Sequence, residues 1–150
     1  MSGPKALSLM PYIAVRDGAA AIDFYTRAFG AVEKYRLEDP ADGRIGHAEI
    51  SLGSSTLMLS DEYPDFGALA PESLGGSPVK LHLYVEDVDT VFAGAIAAGG
   101  VELRPVKDQF FGDRSGMLQD PFGHTWFLAS LKEEVSPEEM QKRWAEGMAG

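Results

Sequence analysis

The chain repeats itself. Tyr12-Ile13-Ala14-Val15-Arg16-Asp17 and His82-Leu83-Tyr84-Val85-Glu86-Asp87 both run alternating apolar positions into an aspartate. In each half an alanine-rich helical stretch follows, and then three strand-like segments. A supersecondary unit used twice restricts the architectures open to this chain more than any single motif does. The expected fold is α+β, two tandem strand-helix-three-strand (βαβββ) modules over 7–62 and 79–130. A length of 150 residues suits one domain with a real core, or two small halves that share one.

Local chemistry supports the elements. Leu7 to Val15 is apolar apart from Pro11 and predicts the first strand. Ala21, Phe24, Tyr25 and Ala28 recur at helical spacing behind Asp17, which predicts a helix over 17–29 capped by Asp17 and ended by Gly30. Val32 to Leu37 is a short strand, and Asp42-Gly43 is a hairpin signal. Ile45 to Leu52 alternates: Ala48, Ile50 and Leu52 share one face, His47, Glu49 and Ser51 the other. Gly53-Ser54-Ser55 turns the chain into a strand over Thr56 to Ser60. The segment 63–78 is rich in Pro and Gly without periodicity and reads as a linker.

The second half offers a strand over Val79 to Val85, a cap at Asp87 and a helix over Val88 to Ala98. Strand-like stretches follow at Val101 to Phe111, Gly116 to Gln119 and Thr125 to Ala129, with turns at Gly112-Asp113 and 120–123. Ser136-Pro137-Glu138-Glu139 is a capping box that opens a C-terminal helix over 136–147, with Met140 and Trp144 on one face. That face needs an apolar surface, on its own domain or on a second copy.

Composition excludes several classes. There is no cysteine, so disulfides, thiolate metal sites and cysteine nucleophiles are ruled out and a reducing, cytoplasmic compartment is the expectation. Asp and Glu number 23 against 13 Lys and Arg, a formal charge of -10 that disfavours nucleic acid and anionic membrane surfaces. No apolar run approaches the roughly 20 residues of a membrane helix, and the N-terminus has no signal-peptide core. No phosphate loop, dinucleotide fingerprint or nucleophile motif is present.

Ile45-Gly46-His47-Ala48-Glu49-Ile50 with Leu57-Met58-Leu59-Ser60-Asp61-Glu62, and Phe111-Gly112-Asp113-Arg114 with Asp120-Pro121-Phe122-Gly123-His124-Thr125-Trp126, are similar to sequences of the glyoxalase/bleomycin-resistance/dioxygenase superfamily, the vicinal oxygen chelate proteins. They most resemble its PhnB-like branch, and the resemblance covers Leu7 to Ser130. It implies paired βαβββ modules whose curled mixed sheets enclose a cavity, in a homodimer. It also implies metal ligands on the first and last strand of each module. Those slots fall on Met10, Met58, Lys80 and Phe127, none a good ligand for a hard divalent metal. A divalent metal is therefore not expected as a cofactor.

The candidate site residues follow from the strand faces. His47 and Glu49 share one face; His82 shares another with Lys80 and Tyr84. They offer ligand recognition, acid/base work by histidine beside Glu49, or a relocated metal site from His47, Glu49 and His82. The bland alternative is a set of satisfied polar residues on a half-exposed sheet. Tyr12, Met10, Met58, Tyr84, Met117 and Phe127 make the implied cavity aromatic and thioether-rich, which suits a planar organic ligand or a closed core. Arg114 either clamps a ligand carboxylate or pairs locally with Asp113 or Asp120. His124 is expected to hold its own turn, while Trp126, Leu57, Leu59 and Leu128 face the helices. Two functions remain: binding of a small organic molecule in a metal-free cavity, or a lyase, isomerase or dioxygenase. Net charge favours a cationic ligand, whereas Lys80 and Arg114 favour an acidic one.

Overall fold

The computed structural model describes residues 3–149. The chain divides into two compact units, the first ending at Gly76 and the second beginning at Ser77.

In the first unit β1 (Tyr12–Val15) is followed by α1 (Gly18–Phe29), β2 (Val32–Glu38), β3 (Ile45–Leu52) and β4 (Ser55–Asp61). The sheet order is β1-β4-β3-β2; β1 runs parallel to β4 and the other pairs are antiparallel. The Asp17 carboxylate accepts the Ala20 N–H at 3.0 Å, satisfying a donor that the first turn of α1 leaves open. Gly30 ends the helix with φ 69°, a left-handed geometry that glycine adopts without strain. Ala21, Ile22, Phe24, Tyr25 and Ala28 of α1 are buried, as are Ala48, Ile50, Leu57 and Leu59 of the sheet. Each large apolar side chain so buried contributes roughly 1.5–3 kcal/mol. At the end of β4 the buried Asp61 carboxylate accepts the Gly18 N–H at 2.8 Å and the Ile45 N–H at 2.6 Å, tying the helix start to the sheet. A Cβ at Gly18 would lie 3.0 Å from that carboxylate, so the anchor needs glycine there.

The second unit repeats the plan after the short α2 (Pro71–Leu74): β5 (Lys80–Tyr84), α3 (Val88–Ala97), β6 (Val101–Asp108), β7 (Asp113–Gln119) and β8 (Thr125–Leu131), then α4 (Pro137–Ala149). Its sheet order is β5-β8-β7-β6, with β5 parallel to β8. The Ser130 hydroxyl now anchors the helix, accepting the Val88 N–H at 3.0 Å and donating to the Val85 carbonyl at 2.7 Å. The turn 120–123 is held by Asp120. Its buried carboxylate accepts the backbone N–H groups of Phe122 and His124 at 2.9 and 3.0 Å, and the Trp126 indole N–H at 2.9 Å. The Asp-Pro-Phe-Gly-His-x-Trp stretch is thus a staple of the fold. His124 is held through its backbone, since its carbonyl also accepts the Asp120 N–H at 2.8 Å.

Several boundaries differ from the sequence expectation. The first strand begins at Tyr12 rather than Leu7; Leu7 and Leu9 lie exposed, and among the described residues no strand pairs with them. The segment 63–78 is not featureless: it holds a 3-10 turn at Pro64–Phe66 and α2, each opened by a proline and closed by a glycine of positive φ. The Glu62 carboxylate accepts the Ala70 N–H and the Ser73 hydroxyl proton, which ties this segment to β4. β6 stops at Asp108, and β7 starts at Asp113 rather than Gly116, because Asp113 and Arg114 pair with Leu131 and Ser130 of a longer β8. The C-terminal helix begins at Pro137, with the Ser136 hydroxyl accepting the Glu139 N–H at 3.2 Å. Met140 is partly covered by its own unit, whereas Trp144 stays 52% exposed.

Candidate functional site

Residues paired across neighbouring strands share a sheet face. In the first unit the pairings Tyr12–Met58, Met58–Glu49 and Glu49–Tyr35 form one row across all four strands. In the second unit His82–Phe127, Phe127–Met117 and Met117–Arg104 form the corresponding row. Tyr12 and His82 each stand five residues before the aspartate that caps their helix, so the repeat places different chemistry at equivalent positions.

The first unit collects polar groups around His47. The Tyr12 hydroxyl lies 2.7 Å from His47 Nδ1. His47 Nε2 lies 3.1 Å from the Tyr35 hydroxyl and 3.2 Å from Glu49 Oε2. Tyr35 in turn donates to Glu49 Oε2 at 2.8 Å. These hydrogen bonds from Tyr35 and His47 hold the Glu49 carboxyl below its ordinary range. Burial pushes the Tyr12 phenol up, and the bond to Glu49 does the same for Tyr35. The expected pair His47 and Glu49 is therefore brought together, with Tyr12 and Met58 on the same face.

The second unit holds a cavity of about 280 Å³ lined by His82, Arg104, Gln109, Phe111, Ser115 and Phe127. The His82 and Phe127 rings stack at 5.8 Å with 25° between their planes. Arg104 reaches the cavity from β6, and its side chain makes no hydrogen bond or ion pair among the described residues. Lys80 is likewise exposed at the start of β5, in register with Thr125. Tyr84 gives its hydroxyl proton to Asp113 Oδ2 at 2.7 Å, which pushes its phenol up. It lines an adjoining groove of about 560 Å³ with Asp113, Glu133, Glu134 and Met140.

Arg114 makes its contacts on the other face of the sheet. It stands on the opposite face of the sheet from Ser115 and Phe127, and its guanidinium makes two hydrogen bonds of 2.9 Å to Asp89 of α3 and one of 3.2 Å to Asp108. Neither Asp113 nor Asp120 is its partner, because strand alternation turns Arg114 towards the helix. Asp89 is correspondingly held below the usual carboxylate range. Arg114 fastens α3 to β7 and does not line the cavity.

Tyr35 and Arg104 were not legible as site residues. Both β2 and β6 carry a register shift beside them, between Glu33 and Tyr35 and between Glu102 and Arg104, so simple alternation misassigns their faces. Their correspondence in the repeat was the available signal.

The metal slots implied by the resemblance do not fit a divalent ion. Met58 offers a thioether, Phe127 no lone pair, Lys80 only donors, and Met10 a second thioether ahead of β1. Among the described residues no group of three His, Asp or Glu is arranged to hold a metal.

Comparison with known proteins agrees with this architecture. An uncharacterised protein of Mycobacterium bovis is 44% identical over 137 residues, covering 89% of this chain and 90% of that one. The crystal structure of a Pseudomonas aeruginosa protein superposes with a TM-score of 0.69 at 25% identity, over 85% of this chain and all of that one, 100%. A PhnB protein of Bacillus cereus shares the fold, with a TM-score of 0.64 at 23% identity over 83% of this chain and 99% of that one. The model of the glyoxalase/bleomycin resistance protein/dioxygenase superfamily matches residues 7–128, so the chain belongs to that superfamily.

Proposed function

We propose that the protein binds a small, flat organic molecule carrying an acidic group, in the second unit and without a metal. The observation that carries this reading is the cavity of about 280 Å³ whose lining includes the stacked His82 and Phe127 rings and an Arg104 side chain that has no partner among the described residues. A guanidinium so placed offers a carboxylate two parallel hydrogen bonds, and the rings offer a stacking surface. Local charge outweighs the net -10 because distant surface charges are screened over about 10 Å at ordinary salt. Lys80, exposed near the start of β5, adds to the positive field on this strand.

The protein works as a cytoplasmic homodimer in this reading. The half-exposed Trp144 and the exposed Met148 on α4 support a contact with a second copy. An acid/base enzyme is a second reading, favoured by the hydrogen-bonded His47 cluster of the first unit.

A thermal-shift comparison of 2-naphthoate with 2-naphthylmethylamine tests the ligand charge, since binding raises the melting temperature by mass action. The acid is expected to shift the wild type and the amine not. A shift with the amine alone reverses the charge assignment.

A further inference from the structure

The aromatic face of the second unit leads to a buried acid. The His82 ring contacts both Phe127, at 5.8 Å, and Tyr84, at 4.8 Å. Phe111 lines the Arg104 cavity and also the adjoining groove of Asp113, so the run of rings continues from one into the other. At its end the Tyr84 hydroxyl donates to Asp113 Oδ2 at 2.7 Å. Asp113 is only 4% exposed, yet among the described residues its side chain makes no ion pair and its Oδ1 accepts no hydrogen bond. No fully enclosed side-chain oxygen lacks a partner among the described residues, so Oδ1 is the atom through which Asp113 meets the groove. A carboxylate this buried is normally matched by a cation or by several donors. The other acids of the groove differ: Glu133 is paired with Arg143 at 2.9 Å, and Glu134 is exposed. Ser136, also at the groove, caps α4, whose first turn carries Glu138 and Glu139, and their charge opposes that of the helix end.

We propose that the acidic ligand of the second unit is zwitterionic: while Arg104 holds its carboxylate, an ammonium group at its far end binds Asp113 Oδ1. This deepens the function proposed above and rests on it. One open oxygen suits an ammonium, a compact donor, better than a guanidinium, whose paired hydrogen bonds need both oxygens of a carboxylate. Among the described residues no group of three His, Asp or Glu is arranged to hold a metal ion in its place. Asp113 is already desolvated in the free protein, so binding strips water only from the incoming ammonium, and the pairing is favoured accordingly. Arg104 is in register with Met117, four residues along β7 from Asp113, which is roughly 14 Å at about 3.4 Å per residue. The ammonium therefore needs an arm several atoms long beyond the stacked rings, and an amine on a one-carbon arm does not reach. Leu131, Val135 and Met140 give that arm an apolar wall.

Calorimetric titration of the full chain with 6-(3-aminopropyl)-2-naphthoate and with 6-propyl-2-naphthoate tests this. Wild type is expected to bind the ammonium probe at least about tenfold more tightly than the propyl probe, as a charge-assisted contact requires. Asp113→Asn, which keeps an acceptor for Tyr84, is expected to abolish that difference. An advantage that survives in Asp113→Asn overturns the inference. So does an ammonium probe that binds wild type no better than the propyl one, and in that case the Arg104 reading stands. If neither probe nor 2-naphthoate binds wild type, the Arg104 reading falls and this inference falls with it. A measurement on wild type alone guards against a variant that does not fold. In proton NMR of the complex, the aminopropyl protons are expected to show nuclear Overhauser contacts to the Met140 methyl and the Tyr84 ring. A bound probe whose arm contacts neither overturns the inference.

Discussion

Replacing Asp120 by alanine separates a fold staple from a functional motif. Three buried or partly buried donors lose their acceptor at once: the Phe122 and His124 amides and the Trp126 indole. A hydrogen bond to a charged group is worth about 1.5–3 kcal/mol, and an orphaned buried donor costs about 1–3 kcal/mol. The three do not add fully, because water enters an opened turn and the pieces relax together. A loss of about 3–5 kcal/mol is the result expected for breaking such a network. For a chain of this size that lowers the melting temperature by roughly 10 °C. Urea unfolding read by fluorescence and by circular dichroism measures it, and Trp126, which is buried whereas Trp144 is half-exposed, reports the turn directly. The Trp126→Phe background removes one orphan, so Asp120→Ala is expected to cost less there. A loss below about 1 kcal/mol, or equal losses in both backgrounds, refutes the staple.

Three further outcomes follow. Arg114→Ala is expected to lower the melting temperature slightly through the lost Asp89 and Asp108 contacts and to leave 2-naphthoate affinity unchanged; calorimetric titration checks it. Glu62 is held below the ordinary glutamate range, by the Ser73 hydroxyl first and the Ala70 N–H second, so its contribution is present above that range and disappears as pH falls through its lowered value. Thermal melts from pH 7 to 3 are expected to show wild type losing its advantage over Glu62→Gln on acidification; a constant difference contradicts this. Light scattering at micromolar concentration is expected to give a dimer mass, and Trp144→Ala to shift it towards monomer; a monomeric wild type contradicts the homodimer.

Much of the fold was legible because the repeat, the caps and the alternation agree. Asp17, Asp87 and Ser136 stand where their helices start, and Ala48, Ile50 and Leu52 turn inward as spaced. Pairing partners in space were not legible. Nothing in the local sequence shows that Asp61 would hold Gly18, that Asp89 would hold Arg114, or that Pro64 and Pro71 would each open a short turn. For the site, His47 with Glu49 and His82 with Lys80 and Tyr84 came from strand alternation, whereas Phe127 came from the family resemblance. Tyr35 and Arg104 escaped because a register shift beside each breaks the period of two on which that reading depends.

The most direct measurement is calorimetric titration of 2-naphthoate into wild type and Arg104→Ala, each dialysed against chelator. Wild type is expected to bind one ligand per chain without a metal, and Arg104→Ala to bind about ten- to a hundredfold more weakly, as the loss of a charge-assisted contact worth about 1.5–3 kcal/mol requires. Equal affinity in the two proteins, or binding by wild type only after a divalent metal is restored, contradicts the account.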